Sequence, residues 1–397
     1  MKRIALMVND LCFGGAQRII AELSVALEKK GYEVHLFLMN TKEIAYPYGG
    51  QLHKISFYFK QDSPVMPLIS VQYLILTWYY RKKYSIDVCI SAMDFLNLVN
   101  MLAPGKCRKI PTMHNYFLQH EMTPSHKDRF MEKWFSKVVK KADCIVAVSK
   151  SLRDKLSGLY KNYPSEKIFY IYNSSDIEQI KQMSAESAPD ELLPYLGKNT
   201  FVNVARLTEQ KSLDRLILAF SLLNKKFPDT RLIMIGDGHL GKKLKDFVRR
   251  LGLEHAVRFV SFTKNPFCIM SKCRAFAFSS HYEGFGNVIV EAMCCGLSIV
   301  SVDCLSGPAE ILAPSLSQRA TDVTFGEYGI LIPAHDGEWI EEPDESAVCL
   351  AKGMEKLLTD DELNNTYKSK ALNRAEYFSG DRIYDEWVDI IERGELQ

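Results

Sequence analysis

The chain has 397 residues, enough for two or three domains, and 47% hydrophobic with 25% charged residues is the balance of an ordinary soluble protein. No run reaches the roughly 18 uninterrupted apolar residues of a transmembrane helix, and Met1-Lys2-Arg3-Ile4 leads into a strand-like run ending at Asn9-Asp10 rather than a signal peptide. The net charge of +2 hides an asymmetry: residues 1–190 hold 26 Lys and Arg against 18 Asp and Glu, and residues 191–397 hold 24 against 30.

A basic first half expects an anionic ligand or surface. No helix-turn-helix, zinc-finger or RNA-binding signature accompanies it, so nucleic acid is not the expected partner. The ten cysteines form no Cys-x-x-Cys pair, and most fall in apolar runs, as buried free thiols of a reducing cytoplasm do.

In chain order, residues 4–8 form a strand-like apolar run, 16–30 carry helical periodicity through Ile19, Ile20, Leu23, Ala26 and Leu27, and 33–39 alternate as a strand does. Short buried runs follow at 88–91, 110–113 and 143–148. Strand–helix alternation of this kind predicts a parallel sheet covered on both faces. Residues 177–200 break the rhythm, with the polar stretch Ser184-Ala185-Glu186-Ser187-Ala188-Pro189-Asp190 reading as a linker. A second series then begins, with strands at 201–205, 231–235, 257–260, 275–279 and 298–302 and helices at 213–226, 241–251 and 288–295. Residues 344–356 and 360–391 read as helices.

The segment Ser280-His281-Tyr282-Glu283-Gly284-Phe285-Gly286-Asn287-Val288-Ile289-Val290-Glu291 holds most of the chemical signal. Gly284 and Gly286 let a backbone approach a ligand closely, and Asn287 reads as the N-cap of a helix whose amides and dipole favour an anion. Glu283 and Glu291 then offer carboxylates to sugar hydroxyls. A bare Glu-x7-Glu spacing is more often an ordinary loop–helix junction, and only the glycine loop and the partners upstream turn it toward a ligand site. Upstream, Arg206 and Lys211 follow a buried strand and lie five positions apart across what reads as an exposed turn. Arg forks two phosphate oxygens and Lys supplies a point charge. Asp-x-Asp, the usual carboxylate pair for a metal–diphosphate site, does not occur, so cationic side chains, amides and a helix dipole would carry a diphosphate's charge. Neither Gly-x-Gly-x-x-Gly nor the Gly-x-x-x-x-Gly-Lys-[Ser/Thr] phosphate loop is present.

These motifs resemble the family 4 retaining glycosyltransferases. So do Phe13-Gly14-Gly15-Ala16-Gln17-Arg18 after the first strand, Ala142-Asp143-Cys144-Ile145-Val146-Ala147-Val148-Ser149, Ile171-Tyr172-Asn173-Ser174-Ser175-Asp176, Val204-Ala205-Arg206-Leu207-Thr208-Glu209-Gln210-Lys211 and Ile235-Gly236-Asp237-Gly238. They occur in family order over most of the chain. Ser174-Ser175 departs from the common Gly-Val, and Ala205 from a common Gly. The resemblance implies an α/β chain of the GT-B fold, two facing Rossmann-like domains with parallel sheets and an interdomain cleft. An acceptor-binding domain would span 1–176, a nucleotide-sugar domain 177–379, and a helix at 380–397 would pack back on the first.

It further implies that Arg206 and Lys211 contact the donor diphosphate, Glu283 reads the hydroxyls of the transferred sugar and Glu291 binds the ribose. Gly284, Phe285, Gly286, Asn287 and Val288 would line the donor loop. Gly14 and Gly15 would approach the donor from the other domain, with Arg18 either assisting or solvated. His114 would position the sugar, without a firm acid–base role. The base is expected against the loop at Phe262-Thr263, although Phe262 reads equally as core. No cofactor or metal is expected beyond the donor, which would be UDP-linked.

The acceptor is expected to be a glycan on a polyprenyl diphosphate or a surface polysaccharide, in bacteria. Residues 127–141 mix six cations with Phe, Met, Trp and Val, and residues 64–83 run from Pro64-Val65-Met66-Pro67 through Trp78, Tyr79 and Tyr80 to Arg81-Lys82-Lys83. Each fits either a helix packed on its own sheet or a membrane-interface segment; with the basic half they predict a peripheral enzyme on the inner face of the membrane. The alternatives are a GT-B epimerase or phosphorylase, and a silent sugar-nucleotide-binding scaffold. No pyridoxal-phosphate lysine motif is evident, and a silent fold has no need of Arg206, Lys211, Glu283 and Glu291 together.

Overall fold

The structure, a computed structural model, describes residues 1–12, 14–56, 66–114 and 126–396, without the side chains of 66–70 and 126–131. Phe13, residues 64 and 65, and the side chains of 127–131 therefore lie outside the described residues. The chain divides into two compact units: Met1–Ser174 with Asp381–Gln397, and Ser175–Gly380.

The first unit carries β1 (Arg3–Val8), α1 (Gly15–Lys29), β2 (Glu33–Leu38), β3 (Gln51–Lys54), α2 (Met66–Lys83), β4 (Val88–Ala92), α3 (Asp94–Leu102), β5 (Arg108–Met113), α4 (His126–Val138), β6 (Ile145–Ala147), α5 (Lys150–Leu159) and β7 (Ile168–Tyr170). Its sheet runs β3-β2-β1-β4-β5-β6-β7, parallel throughout. Alternation along β1 divides the core. Ile4, Leu6 and Val8 face one layer with Ile20, Leu23 and Leu27 of α1, while Ala5 and Met7 face Tyr73 and Leu76 of α2 and Leu96 and Val99 of α3.

The second unit carries α6 (Ile177–Ser184), β8 (Thr200–Val204), α7 (Leu213–Lys226), β9 (Arg231–Ile235), α8 (Gly241–Arg250), β10 (Val257–Val260), α9 (Phe267–Met270), β11 (Ala275–Phe278), α10 (Asn287–Cys294), β12 (Ser298–Val302), α11 (Pro308–Leu312), β13 (Thr324–Phe325), β14 (Ile330–Ile332), α12 (Glu345–Thr359) and α13 (Asp361–Glu376). Its sheet runs β10-β9-β8-β11-β12-β14-β13, and only β13 is antiparallel to its neighbour. The segment read as a linker contains α6, started by Asp176, whose carboxylate accepts from the Gln179 amide at 3.0 Å.

The helical run expected over 360–391 is two helices, α13 and α14 (Gly380–Glu392), broken at Tyr377-Phe378-Ser379. There Ser175 pairs with Ser379 as an isolated bridge, and the Ser175 amide donates to the Phe378 carbonyl at 2.9 Å. A ladder contact absent from any local pattern thus replaces a helical turn. α14 returns to the first unit, where Ile383, Trp387, Ile390 and Ile391 join the layer of α1. Arg108 donates to the carbonyls of Ile390 and Ile391, each at 3.0 Å, capping the helix's negative end. Among the described residues no helix is long and apolar enough to cross a membrane.

Candidate active site

In an open parallel sheet, ligands bind beyond the carboxyl ends of the strands, where the strand order reverses. In the second unit that point lies between β8 and β11, since β8 leads outward to β9 and β10 while β11 begins the other half. The loops leaving these two strands hold Arg206 and Lys211 on one side and Glu283 on the other.

The loop after β8 is pinned by its neighbour. The Ala205 amide donates to Ile235 and the Leu207 amide to Asp237, at 3.0 and 2.9 Å. Gly236, at φ 138°, lets the two strands approach so closely that a Cβ would stand 2.1 Å from the Ala205 carbonyl oxygen. Ala205 itself needs no left-handed backbone, so its methyl is accommodated. Arg206 projects from this loop, exposed; its carbonyl accepts from the Thr208 amide at 2.9 Å, while its guanidinium makes no hydrogen bond or ion pair among the described residues.

Lys211 differs from the exposed turn residue expected. A short 3-10 turn, Glu209–Lys211, directs it inward, and its ammonium meets the Glu283 carboxylate at 2.5 Å, with the side chains only 14% and 13% exposed. Two further contacts tie the loops. Gln210 Nε2 donates to the Tyr282 carbonyl at 2.9 Å, and the His281 amide donates to the Gln210 carbonyl at 2.9 Å. In the sequence Gln210, a lone amide between Glu209 and Lys211, carries no spacing signal that would mark this role. His335 Nε2–H donates to the Ser279 carbonyl at 3.0 Å and supports the same strand end; burial, then the Arg215 charge, lowers its pKa to about 4.

Glu283 leads directly into α10. The N-cap is Gly286, at φ 96°, and Asn287 is the first helical residue, not the cap expected. The sharp turn needs a left-handed residue, which asparagine adopts less readily than glycine. The Ile289 amide donates to the Gly286 carbonyl at 2.9 Å, and the positive end of the helix dipole here is suited to an anion. Asn287 and Val288 are partly exposed here, and Glu291 lies one turn on, also partly exposed. Gly284 is buried, its carbonyl accepting from Ser306 Oγ at 3.0 Å. The Phe285 ring turns into the unit's interior against Phe378, with ring centroids 5.3 Å apart. Only its backbone remains for the loop.

Phe262 is 52% exposed, which settles its two sequence readings against core packing. Its amide donates to Asp237 Oδ2 at 2.8 Å, linking the loop after β10 to those after β9 and β8. The second unit thus brings together Arg206, Lys211, Glu283, the start of α10 and, through Asp237, Phe262. Among the described residues no three His, Cys, Asp or Glu side chains gather to hold a metal ion.

The first unit holds the other predicted residues. Gly14 precedes α1 with φ 179°, an extended backbone open to any residue, and its amide donates to the Tyr46 hydroxyl at 3.2 Å; Gly15 opens the helix. Arg18 pairs with Glu22 one turn on, at 2.7 Å. His114 follows β5. Thr112 Oγ1 donates to the Ser91 carbonyl, so the 3.3 Å contact between His114 Nε2 and Thr112 Oγ1 has the imidazole as donor. Burial lowers the His114 pKa to about 4, leaving a neutral ring with Nδ1 as acceptor at neutral pH. It borders a cavity of about 10 Å³, room for about one water, lined also by Thr112, Tyr172, Asn173 and Trp387. At the β4–α3 junction Met93 has φ 76°, a strained torsion at this unit's own reversal of strand order that no sequence feature marks.

The two halves match two family models: "Glycosyltransferase Family 4" over residues 13–179 and "Glycosyl transferases group 1" over residues 184–374. A glycosyltransferase of Methanocaldococcus jannaschii, itself uncharacterized, is 30% identical over 330 residues, covering 78% of this chain and 80% of its own. The N-acetylgalactosamine-N,N'-diacetylbacillosaminyl-diphospho-undecaprenol 4-alpha-N-acetylgalactosaminyltransferase of Campylobacter jejuni is 29% identical over 396 residues, covering 96% of this chain and 97% of its own. Among solved structures, Anabaena HepE in complex with UDP superposes with a TM-score of 0.74 at 20% identity, over 98% of this chain and 99% of that one. Two α/β units with parallel-dominated sheets in this order form the GT-B fold, and the chain belongs to the glycosyltransferases whose first half is of the family 4 type and whose second half is of group 1.

Proposed function

We propose that the protein transfers a hexose or N-acetylhexosamine from a UDP-sugar to a lipid-linked glycan in bacterial surface-polysaccharide assembly, retaining anomeric configuration and needing no metal. The observation that carries this reading is the Lys211–Glu283 ion pair at the reversal of strand order, between Arg206 and the start of α10. The bond from the sugar's C1 to the diphosphate oxygen breaks, a bond from C1 to the acceptor hydroxyl oxygen forms, and the hydroxyl proton passes to the diphosphate or to water. Negative charge grows on the departing diphosphate. Arg206, Lys211 and the first amides of α10 stabilise it from fixed positions. Glu283, held by Lys211, accepts hydrogen bonds from the transferred sugar, and Glu291 accepts from the ribose. The base lies along the loop at Phe262, and the backbone of Gly284, Phe285, Gly286, Asn287 and Val288 closes around the donor. Gly14, Gly15 and a neutral His114 serve the sugar from the first unit. With its tautomer set, His114 accepts a hydrogen bond from a sugar hydroxyl at Nδ1 and holds the sugar without acting as an acid or a base.

UDP is the nucleotide in the Anabaena complex, and the Campylobacter relative is named for an acceptor on diphospho-undecaprenol. Both support the donor and acceptor classes assigned here. With an acceptor of that kind, the enzyme would work as a peripheral protein at the inner face of the membrane. Calorimetric titration with UDP in EDTA tests the donor half. The parent should bind, and Glu291→Ala should bind more weakly by roughly 1–3 kcal/mol, the scale for hydrogen bonds to a charged group. Unchanged affinity in Glu291→Ala would make Glu291 a helix-surface acid, and absence of binding in the parent would end the UDP assignment.

A further inference from the structure

α2 is apolar on two sides. Its inner side carries Tyr73, Leu76, Thr77 and Arg81, all buried, with the Arg81 guanidinium donating to the Ala103 carbonyl at 3.2 Å and to Asn100. At 100° per residue Val71, Ile75, Trp78, Tyr79 and Lys82 share the opposite side. There Val71 is 48%, Ile75 54%, Trp78 41% and Tyr79 47% exposed. A soluble helix ordinarily turns a polar face outward, and a contiguous exposed apolar stripe marks an interaction surface.

The charge around the stripe identifies what covers it. No acidic residue lies between Met66 and Lys83, and the helix ends in Arg81, Lys82 and Lys83. The Lys82 ammonium stands 5.7 Å from the Trp78 ring centroid, and that of Lys83 5.8 Å from the Tyr79 ring centroid. Aliphatic side chains, then amphipathic rings, then ammonium groups follow in the order met on passing out of a bilayer into anionic headgroups. α3 packs against both α2 and α4, so the three share one layer of the unit. α4 turns Phe135 and Val138 inward and leaves Lys133, Trp134 and Lys137 exposed, and Lys140, in the 3-10 turn that follows it, is exposed as well. Its outward side therefore adds cations and one ring to the layer, where α2 adds apolar surface.

We propose that the outer stripe of α2 is the membrane-inserting element and docks on an anionic lipid bilayer, with α4 contributing long-range attraction. This rests on the reading that the acceptor is lipid-linked. The test is flotation of the full chain with vesicles of phosphatidylglycerol and phosphatidylcholine, alongside transfer to a short water-soluble acceptor analogue. The parent should float with anionic vesicles and keep part of its binding at high salt, since insertion is not screened. The double variant Ile75→Glu, Trp78→Glu should bind about tenfold more weakly or not at all, while its UDP affinity and soluble-acceptor transfer match the parent. Replacing Lys133, Lys137, Lys140 and Lys141 with Glu should weaken binding mainly at low salt. Parent-like flotation of the α2 variant overturns the assignment to α2 and leaves the lipid-linked acceptor standing. A parent that ignores anionic vesicles overturns the docking reading as a whole. A parent dimer that the α2 substitutions convert to monomer gives the stripe to a second copy and overturns the proposal too. A circular-dichroism melt matching the parent shows that the variant is folded, and Ile75→Leu, which keeps the apolar surface, should float normally.

Discussion

Lys211 and Glu283 stand 2.5 Å apart at low exposure, so each is the other's main means of compensating lost hydration. Arg206, five positions earlier in the same loop, is exposed. The two cations should therefore separate function from stability differently. Arg206→Ala should lower turnover by about 10²-fold with an unchanged melting temperature, as loss of one preorganised charge stabiliser does. Lys211→Ala should lose as much turnover and also about 1–3 kcal/mol of stability, because it strands a half-buried carboxylate. Parent-like kinetics in both variants would remove the diphosphate role. Arg206, Lys211 and Glu283 were legible because charge types at fixed spacing between strand ends carry chemistry. What the spacing could not tell was direction: it gave no sign that Lys211 turns inward, that the Phe285 ring is core, or that Phe262 is exposed. Those outcomes depend on which face of a loop meets the body of the unit, and a loop has no periodicity to reveal it.

β8, β9, β11 and β12 were readable as short, apolar, β-branched and aromatic runs, since a strand buried on both faces must be apolar throughout. Their order was not readable, because strand neighbours are chosen by crossover connections that leave no local mark. Boundaries failed where a long-range contact wins over local pattern. Helical periodicity runs through Tyr377-Phe378-Ser379, yet the pairing with Ser175 interrupts it. At α10 the cap belongs to Gly286, because only the left-handed torsion turns the chain from Glu283 into the helix. Gly286→Ala should cost about 1–2 kcal/mol, since alanine is strained at φ 96° and its methyl would meet the Ile289 side chain at 3.3 Å. It should also weaken UDP binding by tilting the start of α10. Thermal melts and calorimetry on this variant measure both, and an unaltered melt would show that the turn tolerates a Cβ.

At the scale of the whole chain, acid sensitivity follows from the histidines. His53 and His114 in the first unit and His335 in the second are each lowered to about 4, in every case chiefly by burial. Their unfolded counterparts titrate near 6.5, so between about pH 6.5 and 4 the unfolded chain binds more protons. Stability should be fully present above that window and fall as pH drops through it, with a slope of up to about 1.4 kcal/mol per pH unit for each such group. Melting curves from pH 7.5 to 4.5 check this, and a flat profile over pH 6.5–5 would show that these rings titrate normally. On the proposed function, the loops of the second unit bind a nucleotide-sugar and activate it with protein cations alone. Its most direct test is release of nucleoside diphosphate from a panel of sugar nucleotides, with parent and Arg206→Ala, in excess EDTA and after added Mg²⁺ or Mn²⁺. UDP should be released from at least one UDP-hexose or UDP-N-acetylhexosamine in EDTA, unchanged by metal and lowered about 10²-fold in the variant. Activity that is absent in EDTA and restored by Mn²⁺ or Mg²⁺ would contradict it.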